Sequence, residues 1–194
     1  MEKRAFPEKI EAQRLLLRRY TNTDATSIAE LVNENREQLI REFAQLASLR
    51  EIEQTKSFIE EKRKQWEAGK AYCYGIWRLD GSGQIGQIQV KNITWDIPAA
   101  ELSYFIDKRQ QRQGYASESI AAVLEKTFLE MEFERIFVRI LPVNLESHGL
   151  AKKLGFKEEG LHRRAFRCGF GKLHDVRYLA MTADEYRDAM GLIA

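Results

Sequence analysis

Residues 109 to 120 read RQQRQGYASESI: a run of polar and basic residues, a glycine, then a helical pattern, all directly after an apolar strand-like segment. A strand that turns into a helix through a glycine gathers unpaired backbone N–H groups and the positive end of a helix dipole at one corner. Anions bind at such corners, and a glycine lets a ligand approach the backbone closely. Lys108, Arg109 and Arg112 add positive charge around the pattern Gln111-x-x-Gly114-x-Ala116. Two common phosphate loops are excluded, because neither G-x-x-x-x-G-K-[ST] nor G-x-G-x-x-G fits the spacing.

Other groups with chemistry are isolated. Cys73 and Cys168 have no CxxC partner and no histidine at zinc-ligand spacing, so they read as free thiols and no metal site is expected. His148 and His162 read as surface or loop residues, and His174 beside Asp175 reads as a strand-end pair. The 31 Lys and Arg nearly cancel the 29 Asp and Glu, which gives no general affinity for nucleic acid and requires any bound anion to be met locally.

The elements that must position the corner follow from periodicity. Residues 14 to 20 (RLLLRRY) suit a first strand. Asp24 opens a helical pattern carrying Ile28, Leu31 and Val32, and a second helical segment carries Leu39, Ile40, Phe43 and Leu46. Residues 51 to 69 form a helix with Ile52, Phe58, Ile59 and Trp66 inward, a Glu60–Lys64 pair outward, and Gly69 as its stop. Alternation across 71 to 79 and 84 to 95, joined by DGSG, marks a hairpin, and 99 to 107 is the next strand, with Leu102, Tyr104 and Ile106 on one face. A helix runs from the corner through Met131 on a stripe of Ile120, Val123, Leu124 and Phe128. A strand at 135 to 141, a short helix at 144 to 156, strands near 157 to 167 and 173 to 181, and a helix opened by the Thr182–Glu185 capping pattern complete the chain. The strand-helix-strand unit from 99 to 141 is the one parallel connection, right-handed by rule, in an α+β plan on a mostly antiparallel sheet.

At 194 residues, 44% hydrophobic and 31% charged, the chain is expected to be one domain, 1 to 194, with no linker and no internal repeat. No segment approaches the ~20 apolar residues of a membrane span, and the N-terminal MEKRAFPEKIEAQR lacks the apolar core of a leader, so a cytoplasmic protein is expected.

The stretch Gln111-x-x-Gly114-x-Ala116 resembles the pyrophosphate motif (Arg/Gln)-x-x-Gly-x-(Gly/Ala) of the GNAT acetyltransferase superfamily. NLESHGLAKKLGF (144 to 156) is similar to the second signature of that family, with Asn144 and Ser147 matching the N-x-x-S of its RimJ/RimL branch of ribosomal-protein N-terminal acetyltransferases. AQRLLLRRYTNTDA, AELSYFID and HDVRYLAM resemble other strands of that branch, so the likeness spans about residues 12 to 181. It implies the GNAT acyl-CoA N-acyltransferase fold, a twisted, mixed, mostly antiparallel sheet of about seven strands flanked by helices.

The resemblance also implies a direct acetyl transfer from acetyl-CoA to an amine, without a covalent enzyme intermediate. It implies that Gln111, Arg112, Gln113, Gly114, Tyr115, Ala116 and Ser117 hold the pyrophosphate, with Asn144 and Ser147 also on coenzyme A. Backbone groups of Tyr104, Phe105 and Ile106 would bind pantetheine and the acetyl oxygen, the Ile106 N–H serving as oxyanion donor. The likeness points to Glu101 as base, near where many members carry a glutamate, with His174 and Asp175 as alternatives because Arg167 stands where RimL-like proteins carry theirs. It points to Ser147 as acid, with Tyr104 and Tyr115 as alternatives, because Ala151 stands where many members carry a tyrosine. The acceptor implied is a protein N-terminal α-amino group, possessed by a ribosomal protein in that branch. A small amine such as a polyamine, an amino-acid analogue or an aminoglycoside is the alternative in the same fold, and a non-catalytic coenzyme A sensor the alternative outside it. Oligomeric state is left open, a homodimer included.

Overall fold

A computed structural model describes residues 6–192; the first residues of the segment read for a leader, and the last two of the expected domain, lie outside these. Eight strands form one sheet: β1 (Lys9–Glu11), β2 (Leu15–Arg19), β3 (Tyr72–Arg78), β4 (Gln84–Thr94), β5 (Ala99–Ile106), β6 (Arg135–Ile140), β7 (Lys157–Arg167) and β8 (Leu173–Thr182). Their order is β1-β2-β3-β4-β5-β6-β8-β7. Every neighbouring pair is antiparallel except β5 and β6. The eighth strand, beyond the seven expected, is β1, whose three residues are too short to show a period.

Alternation sorts the core. Along β3, Tyr72, Tyr74 and Ile76 join the cluster on one face, while Cys73 joins the cluster on the other. The first face is covered by α4 (Tyr115–Glu125) and α6 (Ala183–Ala189), with Ile120, Val123, Leu124 and Phe128 all buried. The second is covered by α1 (Ala25–Glu42), α2 (Ala44–Ala47) and α3 (Ile52–Glu67), through Ile28, Leu31, Val32, Leu39, Leu46, Phe58 and Ile59.

Three expectations are corrected. The separate helical segment from Leu39 to Leu46 is the end of α1 followed by a break at Phe43 (φ −126°, ψ 55°) and the single turn of α2. Ile52 is 40% exposed, since it is the first residue of α3 and lies ahead of the buried stripe Thr55, Phe58, Ile59, Lys62 and Trp66. The helix through Met131 is α-helical only to Glu125 and then opens into one π turn, Lys126–Glu130. There the Thr127 hydroxyl donates back to the Val123 carbonyl at 2.6 Å, a contact that bends helices. The Glu60–Lys64 pair (2.7 Å), Gly69 at φ 65° and the Thr182–Glu185 capping box all lie where expected.

Candidate active site

β5 and β6 part company early. Their parallel register covers only Ala99–Arg135, Ala100–Ile136 and Glu101–Phe137, after which β6 continues with β8 and β5 with β4. The wedge this opens is bounded by the end of β5, the loop 107–114, the first turn of α4, the start of α5 (Leu145–Lys153) and the end of α1. It holds a cavity of about 390 Å³, within the range of small-molecule sites.

Strand alternation decides which β5 backbone groups face the wedge. The Asp107 N–H donates to the Ile85 carbonyl of the β4 side (2.8 Å), and the Phe105 carbonyl points at Gly86 of β4. Tyr104 and Ile106 therefore turn their amides the other way, into the wedge. The Ile106 carbonyl accordingly accepts from the Gln111 side chain (3.2 Å). Phe105 does not offer the backbone groups expected of it, because the ladder takes them; its ring lines the cavity and packs on Phe43 at 5.6 Å.

The loop is fixed from outside. Asp107 accepts from the Arg109 N–H (3.1 Å) and Asn35 Nδ2 (3.3 Å), and Asn35 Oδ1 accepts from the Lys108 N–H (2.9 Å). Burial raises the Asp107 carboxyl, but the Arg109 and Asn35 hydrogen bonds outweigh it, and the net shift is downward. Arg112 (φ 61°) and Gly114 (φ 84°) are both left-handed, a curl from which anion-binding concavities are made. Arg14 locks the curl, donating to Glu118 Oε2 from Nε (2.7 Å) and to the Gln113 carbonyl from Nη1 (3.1 Å), its guanidinium over the Tyr115 ring at 4.6 Å. The Arg112–Glu146 pair at the rim is exposed (2.7 Å), hence weakly held and free to yield to another anion.

A second helix N-terminus meets the first. Asn144 caps α5, its Oδ1 accepting from the Ser147 N–H (3.0 Å), while its Nδ2 donates to Glu42 Oε1 (2.8 Å). Deeper in, the Tyr104 hydroxyl is buried with no partner in hydrogen-bond geometry; Ser147 lies beside it and Glu42 is the nearby charge. Burial pushes this phenol up to about 12, so it stays protonated and offers a donor. Burial also raises the Glu42 carboxyl, the Asn144 hydrogen bond and Arg41 offsetting part of the effect.

Of the residues the sequence singled out, Tyr104, Phe105, Ile106, Gln111, Arg112, Gly114, Tyr115, Ala116, Ser117, Asn144 and Ser147 line this cavity. Gln113 does not; its carbonyl is engaged by Arg14. Glu101 lies elsewhere, 3% exposed in a chamber of about 50 Å³ behind Phe43, with Ser103 and Phe166 among its walls. Asn92 Nδ2 (2.6 Å), Arg139 Nη2 (2.9 Å) and Lys91 Nζ (3.5 Å) all converge on it. Expected as a base, Glu101 lies outside the wedge, with Oε2 held by Asn92 and Arg139 and Oε1 3.5 Å from Lys91. Arg167 closes its own turn by donating to the Gly171 carbonyl (2.8 Å), Asp175 accepts from the Arg164 N–H (2.8 Å), and Ala151 is buried. His148 pairs with Glu158 (3.0 Å), and His162 stacks on Tyr178.

Sequence reasoning missed Glu42, Phe43, Gln38, Leu150 and Lys153, which also line the cavity. A signal for Glu42 existed: it is a carboxylate inside the apolar run from Leu39 to Leu46.

The family profile described as "Acetyltransferase (GNAT) domain" matches residues 14–157. The chain is 29% identical over 155 residues to the uncharacterized N-acetyltransferase YoaA of Bacillus subtilis, covering 80% of this chain and 86% of that one. It is 26% identical over 119 residues to the [ribosomal protein uS5]-alanine N-acetyltransferase of Escherichia coli, 61% of each chain. A solved structure of RimL, the ribosomal L7/L12 alpha-N-protein acetyltransferase, in complex with coenzyme A superposes with a TM-score of 0.85 at 23% identity, over 92% of this chain and 99% of that one.

Proposed function

The chain belongs to the acetyltransferase (GNAT) family, and from that premise we propose that it carries acetyl from acetyl-CoA to the α-amino group of a protein N-terminus. Acetyl-CoA supplies the activated acyl group as a thioester. The single observation that carries its placement is the wedge, where two helix N-termini, a curled glycine loop and the free amides of Tyr104 and Ile106 converge on one cavity. That combination suits a ligand with an anionic end and an amide-bearing arm.

Within this reading Gly114, Tyr115, Ala116 and Ser117 present the first-turn N–H groups of α4 to the pyrophosphate, and Arg112 leaves Glu146 to join them. Tyr104 and Ile106 hold the amide-bearing arm along β5. The Ile106 N–H meets the oxygen on which negative charge develops, a preorganised donor that needs no reorientation. Ser147, beside the protonated Tyr104 hydroxyl, returns a proton to the departing sulfur. Positioning amine and thioester in one wedge supplies much of the remaining acceleration.

The polypeptide acceptor is supported by the relatives that act on ribosomal proteins, one of them named for an N-terminal alanine substrate. The test is thiol release from acetyl-CoA with six-residue peptides beginning Ala or Ser, compared with the same peptides N-terminally blocked and with spermidine. Turnover is expected only with the free N-termini. Turnover of spermidine alone would replace the polypeptide by a small amine, and tight acetyl-CoA binding with no turnover would leave a coenzyme A sensor.

A further inference from the structure

Glu42 is the only described residue that borders three separate cavities: the large wedge, the small chamber behind Phe43, and a third opening between α1 and the loop before α5. It therefore touches the place where a thioester carbonyl would lie, the space from which an acceptor would approach, and a route to water past the exposed Val143 and Leu145. The break at Phe43 makes this possible, because a helix continued through 43 would leave Glu42 in mid-surface instead of at a terminus.

Four of the charged groups around it are paired elsewhere. Lys91 and Arg139, from β4 and β6, are closed on Glu101 of β5. Glu146 pairs with Arg112, and Glu34, on the same helix as Glu42, pairs with Arg109. Arg41 is near but forms no ion pair with Glu42, and Lys108, Glu37 and Lys153, which border the same cavities, form none with it either. Tyr104 is neutral, and Ser147 and Asn144 carry no charge. One Glu42 oxygen is oriented by Asn144 Nδ2, and the other has no hydrogen-bond partner. A partly buried carboxylate with one oxygen anchored and one open is arranged to take a proton.

We infer that Glu42 is the proton acceptor for the incoming amine, an inference that rests on the acetyl-transfer reading above. The acceptor arrives as an ammonium ion. Its first proton passes to the open Glu42 oxygen and leaves through the third cavity to water. The freed nitrogen lone pair forms the C–N bond, and the C–S bond breaks with its electrons on sulfur. The second nitrogen proton, acidic once the nitrogen is bonded to the acyl carbon, ends on that sulfur. The sum is amide, thiol and one released proton.

The test is Glu42→Gln, which keeps an oxygen to accept from Asn144 and removes the base. With the Ala- and Ser-peptides at pH 7, kcat/KM is expected to fall by up to about tenfold, a limit set by the share of the amine already neutral there, while coenzyme A affinity is unchanged, the affinity serving as the check on folding. The deficit should shrink between pH 7 and about pH 9, by up to about tenfold in all, and level off once the amine is mostly neutral. It should vanish for an acyl hydrazide acceptor, whose nitrogen is uncharged at pH 7. A deficit independent of pH, or equal for hydrazide and peptide, overturns the inference, as does undiminished activity. If the wild type uses spermidine and not peptide, only the acceptor reading fails and the same comparison is made on spermidine. A wild type inert with every amine overturns both.

Discussion

The loop corner of the wedge and the chamber behind Phe43 are built on opposite principles. The corner, residues 107 to 117, is one continuous stretch that works through its backbone: two left-handed residues, a helix start and the amides of the strand before it. The chamber is an assembly of side chains from α1, β4, β5, β6 and the β7–β8 hairpin, brought together only by the fold. A backbone site tolerates changes of side chain but not of conformation. A side-chain site is the reverse.

That contrast can be broken most sharply at Gly114. Its φ of 84° disfavours any side chain, and an added Cβ would meet Arg14 Nη2 at 3.3 Å. Gly114→Val is expected to weaken coenzyme A binding by about 10²-fold or more, read by calorimetry, because a left-handed β-branched residue either strains or unwinds the loop. Affinity within a factor of about two of wild type would show that the corner does not depend on its backbone shape.

The hairpin tests the chamber. The Gly169 N–H donates to the Ile40 carbonyl (2.9 Å), and a Cβ there would stand 2.6 Å from that oxygen. Gly169→Val should therefore lift the tip off α1, raising KM for the peptide several-fold, about 1 kcal/mol by the tenfold-per-1.4 relation, with coenzyme A affinity intact. A parallel loss of coenzyme A affinity would mean that corner and chamber are not separable.

The smallest effect is expected at Arg112. Arg112→Ala removes one rim charge and should weaken coenzyme A binding by only about threefold, more at low than at high salt, since backbone donors carry the site. A loss comparable with that of Gly114→Val would show that side-chain charge, rather than backbone, holds the anion.

The same contrast explains what could be read before the fold was seen. The corner was legible because its strand, glycine and helix start are consecutive, and so were the strands whose alternation is local. Glu42 was not, because the apolar spacing from Leu39 to Leu46 does not say where the helix breaks, and the break at Phe43 is what brings the carboxylate to the wedge. The surroundings of Glu101 were not legible either, because its donors are remote in sequence: Arg139 comes from β6, and Asn92 reaches it from a β4 irregularity where its φ is 50°. The Phe105 backbone was misassigned because counting along a strand does not say which amides point at the neighbour. Only the pairing with Gly86 settles that.

The divergence of β5 from β6 also has a mechanical side. Three rungs, Ala99–Arg135 to Glu101–Phe137, are the whole strand ladder between β1–β5 and the β6–β8–β7 half, so the sheet is two plates on a narrow seam. A ligand lying along Tyr104 and Ile106 adds rungs the chain does not have, and acts as a removable strand. Ligand concentration then sets how firmly the plates are joined, worth about 2.7 kcal/mol at a hundredfold excess over Kd. Each product release returns the seam to three rungs.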